Sequence, residues 1–154
     1  WKNGRRNGKG KMTFDSGVTY QGEWLNGKMN GEGTLTTPSG SQYAGSFRNG
    51  RYNGQGKLVH TNGDIYEGNW LNGKKHGAGT YVYSDGSQYK GNWNMDKRHG
   101  KGTYTYFDGT VYEGDFNAGK RHGKGKLTKP SGEVQEGMFV QGRFQAGNTR
   151  GMNR

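Results

Sequence analysis

Residues 20–33 read YQGEWLNGKMNGEG, and the same pattern returns every 23 residues along most of the chain. A tyrosine opens the pattern, a glycine follows two positions later, and an aromatic residue follows two positions after that glycine. The opening tyrosine recurs at positions 43, 66, 89 and 112, and Gln135 occupies the next step. A spacing that does not vary over so many units indicates a repeat protein.

Glycine and aromatic residues replace most of the aliphatic side chains of an ordinary core. The chain of 154 residues holds 32 glycines, with ten tyrosines, six phenylalanines and four tryptophans. Each buried aromatic side chain removes about 150–250 Å² from water, so few are needed to hold a thin structure. A net charge of +11 and a mean hydropathy of −1.22 are typical of a disordered chain. The fixed aromatic spacing nevertheless predicts order.

Alternation with a period of two predicts two β-strands in each unit. Tyr20 and Trp24 then share one face of the first strand, and Gly31 and Gly33 share one face of the returning strand. Asn26-Gly27, between the two strands, is typical of a tight hairpin turn. Rings from one strand are expected to lie across the slots that glycines leave on its neighbour.

The predicted fold class is all-β: an elongated, twisted single sheet made of consecutive antiparallel β-hairpins. Each unit supplies one hairpin, and Pro38-Ser39-Gly40 predicts the turn that leads to the next unit. Two strands at a spacing of about 4.8 Å give a rise of roughly 10 Å per unit. Each unit then contacts only its neighbours, and no second layer is needed.

The pattern Tyr-x-Gly-x-Trp/Phe-x-x-Gly-x-x-x-Gly-x-Gly resembles the MORN (membrane occupation and recognition nexus) repeat, over residues 1–147. A partial unit at 1–19 contains Trp1 at the aromatic position, and a tail follows at 148–154. Asp96 replaces the glycine of the hairpin turn, and Ala146 and Asn148 replace the last glycine pair, as expected at the end of an array. Full units start at residues 20, 43, 66, 89, 112 and 135.

This resemblance implies the same single-sheet architecture and a non-catalytic scaffold. Such a scaffold mediates protein–protein interaction, with a helix or peptide as partner, or attachment to a membrane or the cytoskeleton. With no visible signal peptide and no apolar stretch of about 20 residues, a cytoplasmic location is expected, and the resemblance implies a homodimer formed through the array ends. An alternative is the accessory region of a larger enzyme, because similar arrays are attached to phosphatidylinositol-phosphate kinases and some lysine methyltransferases. The start at Trp1, inside a unit, is typical of a fragment.

A lysine or arginine follows each predicted hairpin turn. Stacking of the units is expected to line these side chains along one edge of the sheet as a basic ridge. The ridge could bind an anionic phospholipid such as a phosphoinositide, or it could simply keep an open sheet soluble. Nucleic acid is disfavoured, because the aromatic rings needed for base stacking are required for the core. The candidate lipid-binding residues are Lys74, Lys75, Lys97, Arg98, Lys120 and Arg121.

Two adjacent units carry additional tyrosines where the other units have leucine, threonine, histidine or lysine. If exposed, they would form a contact patch for a protein partner, on a different surface from the basic ridge. The alternative is that they only extend the core. The candidate protein-contact residues are Tyr81, Tyr83, Tyr104 and Tyr106.

The sequence predicts no catalytic residue, no metal site and no cofactor. Cysteine is absent, and neither H-E-x-x-H nor G-x-x-x-x-G-K-[ST] occurs. His76, His99 and His122 share one position in the unit, but about 10 Å between units is too far for one zinc ion. These histidines are expected to hydrogen-bond their own turns. A thin sheet also lacks a deep catalytic pocket.

Overall fold

The computed structural model describes residues 6–145, which form one open antiparallel sheet of thirteen strands in chain order. The predicted fold class is therefore confirmed. The positions of Trp1, Ala146, Asn148 and the tail at 148–154 lie outside the described residues. Residues 6–145 contain no helix that could cross a membrane. The strands are β1 Gly8–Thr13, β2 Thr19–Leu25, β3 Lys28–Thr36, β4 Gln42–Arg48, β5 Arg51–Val59, β6 Ile65–Leu71, β7 Lys74–Val82, β8 Gln88–Asn94, β9 Lys97–Thr105, β10 Val111–Asn117, β11 Lys120–Thr128, β12 Val134–Val140 and β13 Arg143–Phe144.

Two-residue turns close the hairpins along one margin of the sheet, as the Asn-Gly sequences predict. Asn26 has φ 51° and Gly27 has φ 82°. Positive φ at both central residues defines the type I′ turn, which suits the twist of a β-hairpin and favours Asn-Gly. Met95 and Asp96 form the equivalent turn with φ 47° and 73°, so this turn keeps its shape without glycine.

Each two-residue turn is also hydrogen-bonded to the preceding unit. The Gly50 amide donates to the Met29 carbonyl at 2.9 Å. A neighbouring amide donates to a side chain of the preceding unit: Met95 N–H to His76 Nδ1 at 3.3 Å, and Gln141 N–H to His122 Nδ1 at 3.2 Å. The prediction that the histidines bond their own turns is wrong for His76 and His122, because their ring nitrogens accept hydrogen bonds from the turn of the next hairpin.

A line of glycines crosses the sheet, one from each of the first twelve strands. A Cβ atom added to Gly22 would lie 2.4 Å from the Cα atom of Gly33. Since a Cβ lies about 1.5 Å from its own Cα, the two Cα atoms are within about 3.9 Å, closer than the ~4.5 Å of ordinary strand partners. In register, the glycines are Gly10, Gly22, Gly33, Gly45, Gly56, Gly68, Gly79, Gly91, Gly102, Gly114, Gly125 and Gly137.

A tyrosine ring covers this glycine line once in each of the five units that start at residues 20, 43, 66, 89 and 112. Tyr20 is fully buried, and a Cβ on Gly33 of the neighbouring strand would lie 2.5 Å from its ring carbons. The Tyr20 hydroxyl donates to the Glu23 carbonyl at 2.8 Å, so the buried polar group keeps a partner. The predicted packing of rings over glycine slots is confirmed here. The equivalent buried tyrosines are Tyr43, Tyr66, Tyr89 and Tyr112.

The buried tyrosines alternate with the tryptophans and phenylalanines in one continuous chain of rings, the aromatic zipper. Successive ring centroids lie 5.0–5.5 Å apart and the ring planes cross at 79–89°. This edge-to-face geometry is the favoured one for aromatic pairs. In spatial order the rings are Trp24, Tyr20, Phe47, Tyr43, Trp70, Tyr66, Trp93, Tyr89, Phe116, Tyr112 and Phe139.

The first glycine of each pair has a different role from the second. Gly31 has φ 92° and lies in a bulge, where β3 has two more residues than β2 between the partners Gly22–Gly33 and Trp24–Met29. A Cβ on Gly31 would meet the Glu23 carboxylate on the polar face at 2.5 Å. The prediction that Gly31 and Gly33 share a face is therefore wrong, because the bulge redirects the strand.

The Gly102→Ala substitution tests the packing of tyrosine over glycine. The new Cβ would lie 2.3–2.5 Å from Tyr89, which must then leave its buried position. We expect a loss of about 2–3 kcal/mol in the free energy of unfolding, measured by urea denaturation. Gly10→Ala is the matched control, because the nearest atom of Trp24 is 3.5 Å from its Cβ. Equal destabilisation by the two variants would contradict this account.

Alkaline titration tests the burial of the zipper tyrosines. Burial raises the pKa of Tyr20, Tyr89 and Tyr112 from 10.0 to about 12. Since these groups stay protonated longer in the folded chain, their contribution to stability is complete below pH 10 and is lost as the pH rises through 12. Urea denaturation midpoints and tyrosinate absorbance, measured together over this pH range, would show the loss of stability. Ionisation at the ordinary pKa without loss of structure would contradict it.

Candidate binding groove

Two rows of side chains stand on the aromatic face above the zipper, all partly buried except Leu127, which is buried. The turn row comes from the second residue after each two-residue turn, opposite a tryptophan or phenylalanine of the zipper. Its members are Arg6, Met29, Tyr52, Lys75, Arg98, Arg121 and Phe144. The middle row comes from the same odd-numbered strands, opposite the zipper tyrosines. Its members are Leu35, Leu58, Tyr81, Tyr104 and Leu127.

Hollows lie between the two rows, so together the rows line a groove along the array. One hollow of about 270 Å³ is bordered by Leu35 and Tyr52, and another of about 180 Å³ by Tyr104 and Arg121. The first half of the groove is apolar, and Tyr52 stacks on Tyr43 with centroids 3.8 Å apart. These apolar members were not predicted from the sequence, although they share a repeat position with the predicted basic residues.

The four tyrosines predicted as a contact patch form one continuous row in the second half of the groove. The centroid distances are 4.4 Å for Tyr81–Tyr83, 5.8 Å for Tyr83–Tyr104 and 4.5 Å for Tyr104–Tyr106. All four are half-buried and pack against the zipper. They are thus neither wholly core nor wholly exposed. Phe107, beside Tyr106 in the turn, is 74% exposed.

Hydrogen bonds fix the first tyrosine of this row. The Tyr81 hydroxyl donates to Asp64 Oδ2 at 2.8 Å, and the Ser84 amide donates to Asp64 Oδ1 at 2.7 Å. Burial, together with the bond to Asp64, raises the pKa of Tyr81. For Asp64, burial opposes the charge, but the hydrogen bonds from Tyr81 and Ser84 outweigh it and lower the pKa. The row is held in place before any partner arrives.

The cations of the turn row lie against aromatic rings. Lys75 Nζ is 5.4 Å from the centroid of Tyr81, and the Arg98 guanidinium carbon is 4.9 Å from that of Tyr104. Arg121 lies 5.9 Å from the centroid of Tyr106. These distances are within the range of cation–π attraction. The second half of the groove therefore combines tyrosine surface with positive charge.

The two arginines also brace the array. Arg98 Nε donates to the Gly119 carbonyl at 3.2 Å, and Arg98 Nη1 donates to the Tyr83 hydroxyl at 3.2 Å. Arg121 Nη2 donates to the Gly142 carbonyl at 2.5 Å. Each guanidinium thus bonds the two-residue turn of the following unit and keeps successive hairpins in register.

The contacts of Asp96 account for the aspartate at this turn position, where other turns have glycine. Its Oδ1 atom accepts a hydrogen bond from the Lys75 amide at 2.8 Å and lies 3.5 Å from Lys75 Nζ. The substituted turn therefore carries the carboxylate that neutralises the first cation of the groove.

The six predicted lipid-binding residues do not form one ridge. The first residue after each turn is exposed, as at Lys74, Lys97 and Lys120, whereas the second lies in the turn row. Adjacent residues of a strand point to opposite faces, which divides the basic pairs between the two faces of the sheet. Arg98 and Arg121 consequently contact the predicted tyrosine patch. The expectation of separate basic and tyrosine surfaces is wrong for these residues.

Comparison with solved structures supports the fold. The chain is similar to the SAS-4 (dCPAP) TCP domain of Drosophila melanogaster in complex with a proline-rich motif of Ana2 (dSTIL). The TM-score is 0.50 at 14% identity, with 82% of this chain and 69% of that chain covered. At this identity the likeness shows the fold alone.

Two structures of virginiamycin B lyase from Staphylococcus aureus are more distant. One, the inactive H270A form with quinupristin, has a TM-score of 0.22 at 9% identity and covers 90% of this chain and 72% of that chain. The other, selenomethionine-substituted, has a TM-score of 0.20 at 13% identity and covers 86% and 56%. Such scores are too low to bear on fold or function.

The repeat units themselves identify the family. No curated protein matches the chain. The MORN repeat family model matches six consecutive segments, at residues 1–19, 20–42, 43–65, 66–88, 89–111 and 112–134. These segments agree with the hairpins of the sheet and cover most of the sequence, and the repeat is of a non-catalytic type. The chain therefore belongs to the MORN repeat family.

Proposed function

We propose that this array is a protein-interaction scaffold whose groove binds an extended, proline-rich segment of a partner protein. The observation that carries the proposal is the continuous row of Tyr81, Tyr83, Tyr104 and Tyr106 on the rigid floor of the zipper. Proline-rich segments in the polyproline II conformation dock in grooves lined by aromatic side chains. The tyrosine rings would pack against the proline rings of such a segment.

Both sides of this interaction would be pre-organised. The groove is supported by the hydrogen bonds of a continuous sheet, and a polyproline II segment is already extended before it binds. Little conformational entropy is then lost on association, which favours affinity for a given contact area. The similar SAS-4 domain is in complex with a proline-rich motif, which supports the same class of partner.

Removal of the tyrosine row tests the proposal. We expect the Tyr83→Leu/Tyr106→Leu double variant to bind a labelled proline-rich peptide about tenfold more weakly, measured by fluorescence anisotropy. Phe107→Ser is the matched control, because it removes an adjacent ring that is 74% exposed. It should leave binding unchanged. A greater loss with Phe107→Ser than with the double variant would place the peptide outside the groove.

Attachment to an anionic membrane is a second candidate function, and it would use the opposite face. Lys74, Lys97 and Lys120 are exposed beside the two-residue turns, where Leu71 is 40% and Met95 43% exposed. Basic residues mixed with exposed apolar side chains suit the interface of an anionic leaflet. Binding there would hold the array at a cytoplasmic membrane surface and leave the groove open.

A matched pair of triple variants tests the membrane candidate. We expect Lys74→Ser/Lys97→Ser/Lys120→Ser to lower co-sedimentation with phosphatidylserine or phosphoinositide vesicles at physiological salt, because about 1 kcal/mol is lost per lysine. Lys57→Ser/Lys90→Ser/Lys126→Ser removes the same charge from exposed positions away from the turns. Equal loss in both variants would mean that vesicle binding follows only net charge.

A further inference from the structure

Three neighbouring units carry a cation in the turn row, and the units on either side carry an aromatic side chain there. Lys75, Arg98 and Arg121 follow one another between Tyr52 and Phe144. Each cation lies over the rings of its own and the next unit. Positive charge is therefore concentrated inside one half of the groove, beside the tyrosine row.

The two arginines are the cations that remain available to a ligand. Within residues 6–145, no carboxylate lies within 4.0 Å of either guanidinium, whereas Lys75 pairs with Asp96 at 3.5 Å. Arg98 gives three of its five N–H groups to the Gly119 carbonyl and the Tyr83 hydroxyl. The remaining N–H groups suit an anionic acceptor.

A hollow lies between the two guanidinium groups. Its volume is about 180 Å³, and Tyr104, Tyr106, Phe116 and Lys120 also line it, with the turn glycines Gly119 and Gly142. The hollow has room for a side chain of a partner beside the two guanidinium groups.

The spacing of the arginines matches one conformation of a bound chain. They are one unit apart, or two strand spacings, which is about 9.6 Å. A polyproline II helix completes a turn in three residues and advances about 9.3 Å, so residues i and i+3 face the same side at nearly that spacing. An α-helix needs seven residues, about 10.5 Å, to return to the same face over two turns. The side chains on one face of an α-helix would therefore be spaced almost 1 Å farther apart than the units of the array.

We infer that the segment bound in the groove is acidic as well as proline-rich, with two carboxylates three residues apart that pair with Arg98 and Arg121. The inference rests on the proposed peptide-binding function. Arginine pairs with a carboxylate through parallel N–H···O bonds, and the net charge of +11 adds long-range attraction for an acidic segment. The tyrosines contact the prolines, while the arginines set the register.

Three labelled peptides of equal length and proline content test this inference with the whole chain. One carries glutamate at positions i and i+3, one carries glutamate at i and i+2, and one carries glutamine at i and i+3. By fluorescence anisotropy at physiological salt, we expect the i,i+3 glutamate peptide to bind about tenfold more tightly than either of the others. The advantage should shrink as salt is added.

The Arg98→Gln/Arg121→Gln double variant should lose this preference and bind all three peptides with similar affinity. Arg98→Lys/Arg121→Lys keeps the charges and should still favour glutamate over glutamine. If circular dichroism shows that the glutamine variant is unfolded, the comparison of the three peptides on the parent chain decides alone.

Failure of this inference can be distinguished from failure of the peptide-binding function on which it rests. Equal binding of the two glutamate peptides would overturn the inferred spacing of the two carboxylates. Binding of the glutamine peptide would still support the peptide-binding function. No binding of any peptide would overturn both. Vesicle binding that falls in the Arg98→Gln/Arg121→Gln variant, with no peptide bound, would assign the guanidinium groups to a lipid headgroup and overturn the acidic-peptide inference.

Discussion

A tyrosine ring lying flat over a glycine of the next strand is the contact on which the whole array depends. It gives a single sheet a buried core without a second layer, because the ring fills the space that two side chains would otherwise occupy. The close approach of paired glycines, as at Gly22 and Gly33, makes that space. The hydroxyl bond to a backbone carbonyl satisfies the polar end of the ring. The conformational cost of glycine, about 0.5–1 kcal/mol per residue, is offset by burial of the ring.

Because this contact supplies the core, stability and recognition depend on different residues of the array. The glycine line and the zipper repeat without interruption, whereas the residues above them differ between units. Met29, Tyr52 and Arg98 occupy equivalent positions in the turn row, and the strand pairing beneath them is unchanged. Side chains in the groove can therefore vary in charge and size while the sheet stays the same. An array of this kind can change its partner through a few positions per unit.

Hydrogen bonds between units make the groove rigid. Each two-residue turn bonds backwards to the preceding hairpin, and Arg98 and Arg121 bond forwards to the next turn. The arginines thus couple the units and also supply charge. Substitution by lysine keeps the positive charge, so the lysine variants are the informative comparison for binding. Rigidity of this kind favours a partner whose own repeat distance matches that of the sheet.

The sequence by itself determined the repeat, the hairpins, the position of their tight turns and the rings that form the core, because strand alternation and turn chemistry are local properties. It also identified the tyrosines and cations that line the groove. Only the tertiary structure decided how they are arranged. A bulge such as the one at Gly31 redirects the second strand of the hairpin. Alternation of side chains along β7 places Lys74 and Lys75 on opposite faces of the sheet. Packing between units then brought Arg98 over Phe116 of the next unit, a contact that depends on strand register and is therefore absent from any single unit of the sequence.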